Sequence, residues 1–367
     1  MVQTVGIKDV ARLAGVSVGT VSNVLNRPEK VSEHTRVRVR AVIDQLGFVR
    51  SETARQLRVG TSRILAILVL DMANPFFVAV AKGAERAARE AGLGVMLCNS
   101  AGSTAEEAEY LSLFAEQRVR GVLLTPADTT GANVREFARQ RIPFVHVDRA
   151  VPAAEGCSVS VDDVAGGALA VRHLLAAGHR SVTYISGPMS LPQCRDRRTG
   201  ALAALREAGL PEQALRQVET ARLDVASGID AGARLLGLAE RPTAVFCAND
   251  LLALGVLQAM YGAGVDVPGD VSIVGYDDIE FAAAAVVPLT SVRQPAARMG
   301  RTAAEMLMDE TGPDADGHTH RSVVLQPELV VRSSTRRLGP VAGPVAGPVA
   351  GPVAGPVAGP VVERERL

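Results

Sequence analysis

Over the first 48 residues, apolar side chains recur at helical spacing. Ile7, Val10, Ala11 and Ala14 fall on one face of a helix near residues 7–14. Gly15-Val16 breaks the pattern, and Ser17 is a favoured cap for a second helix through Leu25. Val21, Val24 and Leu25 would face the first helix. A third helix starts at Ser32, carries Glu33 in its first turn and stops at Gly47. Helix, glycine turn and capped helix is the order of a helix-turn-helix. Residues 51–62 (SETARQLRVGTS) are polar and basic around one large apolar side chain, Leu57, and read as a linker that is helical only in company.

From residue 63 the pattern changes to short apolar runs alternating with amphipathic stretches. Strands are expected near Ile64–Leu70, Val95–Cys98, Gly121–Leu124, Phe144–Val147, Val182–Ile185, Thr243–Phe246 and Val271–Val274. Helices lie between them, as at Pro75–Ala91, with Asn74 as cap, Pro75 at the first position and Gly92 as stop. Asp162–Ala177 and Asp250–Tyr261 read the same way. Repeated βα units imply parallel sheets covered on both faces, and residues 63–335 are enough for two. The expected fold is α/β: two doubly wound parallel-sheet lobes behind a small all-α head. Two such lobes leave a cleft, with ligands at the carboxyl ends of the strands.

The expected boundaries are 1–50 for the head, 51–62 for the linker and 63–338 for the core. Within the core, one lobe takes about 63–160 plus 291–320 and the other about 161–290 plus 321–338. From Gly339 the chain repeats GPVA to Pro360 and ends VVERERL. Pro and Gly every four residues exclude helix and sheet, so 339–367 reads as a disordered tail.

Net charge is zero overall, but eleven Lys/Arg against five Asp/Glu put residues 1–63 at +6 and the rest at −6. That asymmetry suits a head that meets phosphate. With 36 Arg and only 3 Lys, arginine abundance by itself says little. No run approaches the ~20 apolar residues needed to span a bilayer, and the start has no secretory core. The expected location is the cytoplasm, with no membrane partner. Cys98, Cys157, Cys194 and Cys247 are scattered without a CxxC or a Cys/His cluster, so no metal, cofactor or disulfide is expected. His173 and His179 flank a helix end and are assigned no role.

The stretch IKDVARLAGVSVGTVSNVLNRPEKVSEHTR closely resembles the LacI family of bacterial repressors, and the resemblance extends over residues 5–335. It implies a homodimer on double-stranded operator DNA, with the second helix in the major groove. Carried over by position, Val18, Gly19 and Asn23 would face base edges. Ser17, Thr20 and Asn26 would hold phosphates, with Ser32 and Thr35 helping. Asn23 suits bidentate pairing with adenine, and Val18 suits a thymine methyl. In ARQL the resemblance marks Leu57 as a minor-groove wedge flanked by Arg55 and Arg58. Two positions depart from the family pattern: Gly6 stands where a Thr cap is usual, and Arg50 where Pro is usual.

The body resembles the periplasmic sugar-binding fold of LacI-type regulators. That likeness marks Asn74, Phe76, Phe77, Asp148, Arg149, Arg197, Leu223, Asn249, Asp277 and Gln294 as effector contacts. Carboxylates and Arg suit hydroxyls by charge-assisted bonds, and Phe faces suit the apolar side of a ring. In a chain only 3% aromatic and without Trp, adjacent phenylalanines stand out. Leu223 replaces an aromatic common in relatives. The expected function is a repressor of sugar-utilisation genes, released from a palindromic operator by a small sugar. The alternative is an activator or co-repressor-dependent regulator sensing a nucleobase or phosphorylated sugar. A free transport protein would need a signal peptide and no head. An enzyme would need a motif that is missing here: there is no P-loop, complete GxGxxG, GxSxG or His-centred triad.

Overall fold

The computed structural model describes residues 5–49, 62–312 and 315–338. The proposed linker helix, with Arg55, Leu57 and Arg58, lies outside the described residues, as do Arg50 and the GPVA tail.

The head is three helices: α1 (Ile7–Ala14), α2 (Val18–Asn26) and α3 (Glu33–Leu46). Their apolar faces meet in a small core of Val10, Ala11, Ala14, Val21, Val24, Val39 and Val42. Gly15 ends α1 in the left-handed region (φ 63°), a conformation glycine adopts without steric cost. Gly6 lacks a capping side chain, and Asp9 compensates by accepting from the Gly6 N–H at 3.0 Å.

The described residues of Met1–Asp163, Ser190–Gln193 and Gln294–Pro327 form one compact unit, which includes the head. Those of Val164–Met189, Cys194–Arg293 and Glu328–Leu367 form a second. The first sheet comprises β1 (Ile64–Val69), β2 (Gly94–Asn99), β3 (Gly121–Leu124), β4 (Phe144–Val147), β5 (Cys157–Val161) and β11 (Ser322–Leu325). Its strand order is β11-β5-β4-β3-β1-β2, parallel throughout. The second comprises β6 (Val182–Ser186), β7 (Leu215–Glu219), β8 (Ala244–Cys247), β9 (Ser272–Asp277), β10 (Thr290–Arg293) and β12 (Glu328–Val330). Its order, β12-β10-β9-β8-β6-β7, repeats the first, except that β12 runs antiparallel to β10. Both are the doubly wound topology, whose strand-order reversal leaves a crevice at the carboxyl edge.

Helices α4 (Pro75–Glu90), α5 (Thr104–Glu116), α6 (Ala132–Ala138) and α12 (Ala296–Glu310) belong to the first unit. In the second are α9 (Val225–Leu236), α10 (Asp250–Gly262) and the short α11 (Glu280–Ala284), with α7 (Asp163–Ala176) and α8 (Pro192–Glu207) each leading in from the first. A Cβ on Gly300 would lie 1.9 Å from the Val80 carbonyl oxygen, and one on Gly83 would lie 2.0 Å from that of Ala297. These two positions let the backbones of α4 and α12 touch.

The structure corrects the expected lobe boundary. Residues 321–325 belong to the first sheet through β11, which pairs in parallel with β5 from Ser322↔Ser158 onward. The chain passes to the second unit after Pro327. Strands β5, β7, β10, β11 and β12 were not anticipated, because CSVSV, LRQVE, TSVR, SVVL and ELV carry no long apolar run.

Candidate functional site

Helix α2 turns Val21 and Val24 into the head's core, which sends the opposite face outward. Ser17, Val18, Gly19 and Asn23 lie exposed on that face, and Val18 is 41% exposed despite its apolar side chain. Ser17 caps the helix: its Oγ accepts from the Thr20 N–H at 3.0 Å and lies 2.9 Å from Thr20 Oγ1. Asn26 folds back and donates from Nδ2 to the Ser22 carbonyl at 2.6 Å. Ser32 Oγ donates to Thr35 Oγ1 at 3.0 Å at the start of α3. Lys8, Arg12, Arg27, Lys30, Arg38 and Arg40 of the head are all exposed, and Arg12 pairs with Asp9.

In the first unit the residues marked by sequence fall at carboxyl ends of strands. Asn74 follows β1, is buried, and caps α4 by accepting from the Phe76 N–H at 3.0 Å. Phe76 and Phe77 are buried beside it, their rings edge to face with centroids 5.0 Å apart. Asp148 follows β4 directly, buried, with φ at +60°. A non-glycine residue in that region costs of order 1–3 kcal/mol and persists only where its surroundings hold it. Gln193 holds Asp148, donating from Nε2 to both its carbonyl and its carboxylate at 2.9 Å. Arg149 reaches the Asp128 carbonyl at 3.3 Å. Burial opposes the charge of Asp128, but bonds from Thr130, Asn133 and Ala132 outweigh it and hold the carboxyl down at about 2. Gln294 follows β10 and is buried.

In the second unit the marked residues form one connected set. Arg197, in the second turn of α8, is buried; its Nη1 donates to the Ala248 carbonyl at 2.6 Å. Its guanidinium also stacks on the Tyr276 ring. Asn249 follows β8 and caps α10, accepting from the Leu252 N–H at 2.9 Å. Its Nδ2 donates to the Leu223 carbonyl at 3.0 Å. Leu223 packs over Gly187, where a Cβ would lie 2.7 Å from its Cγ. Asp277 ends β9, the strand next to β8, buried and with φ at +102°.

Sequence reading missed three residues beside the marked ones: two in this unit, and Gln193, which holds Asp148 in the first. Tyr276 is fully buried, and burying it beneath a cation favours an Arg over a Lys at position 197. Asp250 is also fully buried; it accepts from Ser291 Oγ at 2.7 Å and from the Ile279 N–H at 2.9 Å. Burial, with Asp277 adding repulsion, raises its carboxyl well above the usual range. Gln193 is the third. A tyrosine inside an apolar strand and an acid opening a helix carry no local mark of such roles.

Comparison with known proteins points one way. Residues 6–51 match the family described as "Bacterial regulatory proteins, lacI family", and residues 171–335 match the "Periplasmic binding protein-like domain". The HTH-type transcriptional repressor PurR of Photobacterium profundum is 35% identical over 333 residues, covering 90% of this chain and 99% of the relative. The solved complex of the transcriptional regulator CelR with cellobiose is 32% identical at a TM-score of 0.66, covering 90% of this chain and 99% of that one. The lac repressor dimer bound to operator and the anti-inducer ONPF is 26% identical at a TM-score of 0.79, covering 91% and 100%.

Proposed function

The chain belongs to the LacI family, whose members it matches are DNA-binding transcriptional repressors, and from that premise we propose how its parts divide the task. The head reads operator DNA through α2. Val18 and Asn23 face base edges, and Gly19 lets the backbone approach. Ser17, Thr20, Asn26, Ser32 and Thr35 hold phosphates. The observation that carries this is the exposed row Ser17, Val18, Gly19 and Asn23 on the one face of α2 that the head's core does not use. Arg55, Leu57 and Arg58 supply the linker contacts, with Leu57 wedged into the minor groove. Two copies act on a pseudo-palindrome, as in the lac repressor dimer on its operator. The protein works in the cytoplasm, where that DNA lies; no described helix is long and apolar enough to cross a membrane.

The effector reading rests on the connected set of the second unit: Arg197, Leu223, Asn249 and Asp277. Asn74, Phe76, Phe77, Asp148, Arg149 and Gln294 are the proposed effector contacts of the first unit. A flat heteroaromatic ring suits the second unit's set. Leu223 gives an apolar wall, the Asp277 carboxylate accepts ring N–H groups, and the stacked Arg197 donates. A nucleobase therefore fits better than a free sugar, in line with the PurR-designated relatives. The sugar reading keeps one specific support, the cellobiose held by the similar CelR structure. In either case the effector must bind one operator-affinity state more tightly, with coupling of roughly 1–3 kcal/mol.

The test is operator binding by the full-length chain on DNA from its own upstream region, repeated with nucleobases and with mono- and disaccharides. A nucleobase that changes operator affinity at least about fivefold supports the first reading. A response only to sugars overturns it in favour of the second. Failure to bind any sequence more tightly than random DNA overturns the head's assignment.

A further inference from the structure

Cys157 opens β5 with its thiol buried. Glu310 ends α12, and His318 and His320 lie between the turn Ala315–Gly317 and β11. These four residues come from three separate stretches of the first unit, and their side chains converge. Cys157 Sγ lies 3.2 Å from His318 Nε2 and 3.5 Å from His320 Nδ1. Glu310 Oε2 lies 3.9 Å from His318 Nε2. All four ligand atoms fall within 4.8 Å of one another. The imidazole planes meet edge on, at 76°, with both nitrogens directed at the sulfur rather than the rings stacked flat.

We propose that Cys157, Glu310, His318 and His320 form a closed tetrahedral site for a zinc-class divalent metal. Bond lengths of about 2.3 Å to sulfur and about 2.0 Å to nitrogen at tetrahedral angles place sulfur and nitrogen about 3.5 Å apart. The two sulfur–nitrogen distances already match that spacing. The Glu310 carboxylate, 3.9 Å from His318 Nε2, has to close in by roughly half an ångström. A soft thiolate with two imidazoles selects zinc, or cobalt as its stand-in, over magnesium or calcium. The thiolate and carboxylate together neutralise the ion, so the filled site is uncharged.

Burial raises the Cys157 thiol and the Glu310 carboxyl, the electrostatic cost that a cation would relieve. Four protein ligands leave no open position, so the site is structural, not catalytic. It ties the end of α12 and the approach to β11 onto β5, clamping the edge strand of the first sheet. His320 is exposed and gives the ion a way in. This site is independent of the effector reading, because none of its ligands belongs to the proposed effector set.

The test uses the full-length chain without an affinity tag, stripped with a chelator and dialysed against Zn²⁺ or Co²⁺. One equivalent of zinc per chain is expected, with a rise in melting temperature. Cobalt should give a thiolate charge-transfer band and the intense visible bands of a tetrahedral ion. Cys157→Ser should abolish the charge-transfer band, and His318→Ala should weaken zinc binding at least about tenfold. Cys98→Ser, away from the cluster, should change neither. Because Cys157 and His318 are buried or nearly so, His320→Ala at an exposed ligand serves as the variant least able to disturb folding. Its zinc affinity should also fall at least about tenfold. No stoichiometric uptake by the parent chain, or parental affinity in both histidine variants, would overturn the proposal.

Discussion

The Arg197 guanidinium lies 3.7 Å from the centroid of the Tyr276 ring, while its Nη1 is bonded to the Ala248 carbonyl. One cation thus joins α8 to the ends of β8 and β9. Arg197→Lys keeps the charge but loses the planar fork and most of the stacking. The expected result is a loss of about 1–3 kcal/mol in stability by urea unfolding. Effector-induced change in operator affinity should disappear at the same time. A parental effector response would remove Arg197 from the effector set.

Asn23 sits on the exposed face of α2 and contributes nothing to the head's core. Asn23→Ala should therefore leave the melting temperature unchanged and weaken operator binding by about 1–3 kcal/mol. Random-sequence DNA should be bound as before, because phosphate contacts are untouched. Fluorescence anisotropy on both DNAs checks this. An equal loss on both would make Asn23 a phosphate contact instead.

Burial, with the Arg149 cation adding to it, holds His146 down at about 4 against an ordinary 6.5. The native state therefore prefers neutral His146, and its contribution is complete above about pH 6.5. As pH falls from there toward 4, the unfolded chain takes the proton first and stability is lost. Below 4 both states are charged and this loss levels off. Between pH 7.5 and 5 the parent should lose about 2 kcal/mol more than His146→Phe in chemical denaturation. Parallel profiles for the two proteins would rule this out.

Gly300→Ala places a methyl group 1.9 Å from the Val80 carbonyl oxygen, so α4 and α12 must separate. A destabilisation of about 1–3 kcal/mol is expected, measured by the denaturant midpoint. Gly262→Ala is the control, since nothing lies within 4 Å of its added Cβ. Comparable losses in both would mean that helix contact at Gly300 is not the cause.

The legible parts of this fold were those written locally. The helix ends at Ser17, Gly15, Gly47 and Asn74, and the runs ILAILV and AVFC, announce themselves by cap chemistry and by apolar runs buried on both faces. Strands β5 and β11 did not, because Ser158 and Ser160 interrupt one, and Ser322 and the half-exposed Val324 blur the other. Their evidence is each other: Ser158 Oγ donates to Ser322 Oγ at 2.8 Å across 164 positions of sequence. The same holds for the cysteine and histidines of the proposed metal site, which no spacing rule connects. In the effector set the strand-end polar residues stood out, while Tyr276 and Asp250 looked like ordinary interior and helix-start residues.

The pairing of β5 with β11 also sets an order of events during synthesis. β5 is complete when Val161 is made, yet its outer neighbour begins only at Ser322. At about 5–20 residues per second a ribosome needs roughly 8–32 seconds to cover that distance. Throughout that interval the nascent first sheet carries an open edge at β5, able to pair with another chain. The sequence there answers the hazard in kind: CSVSV is five residues long, and two of the five are serine.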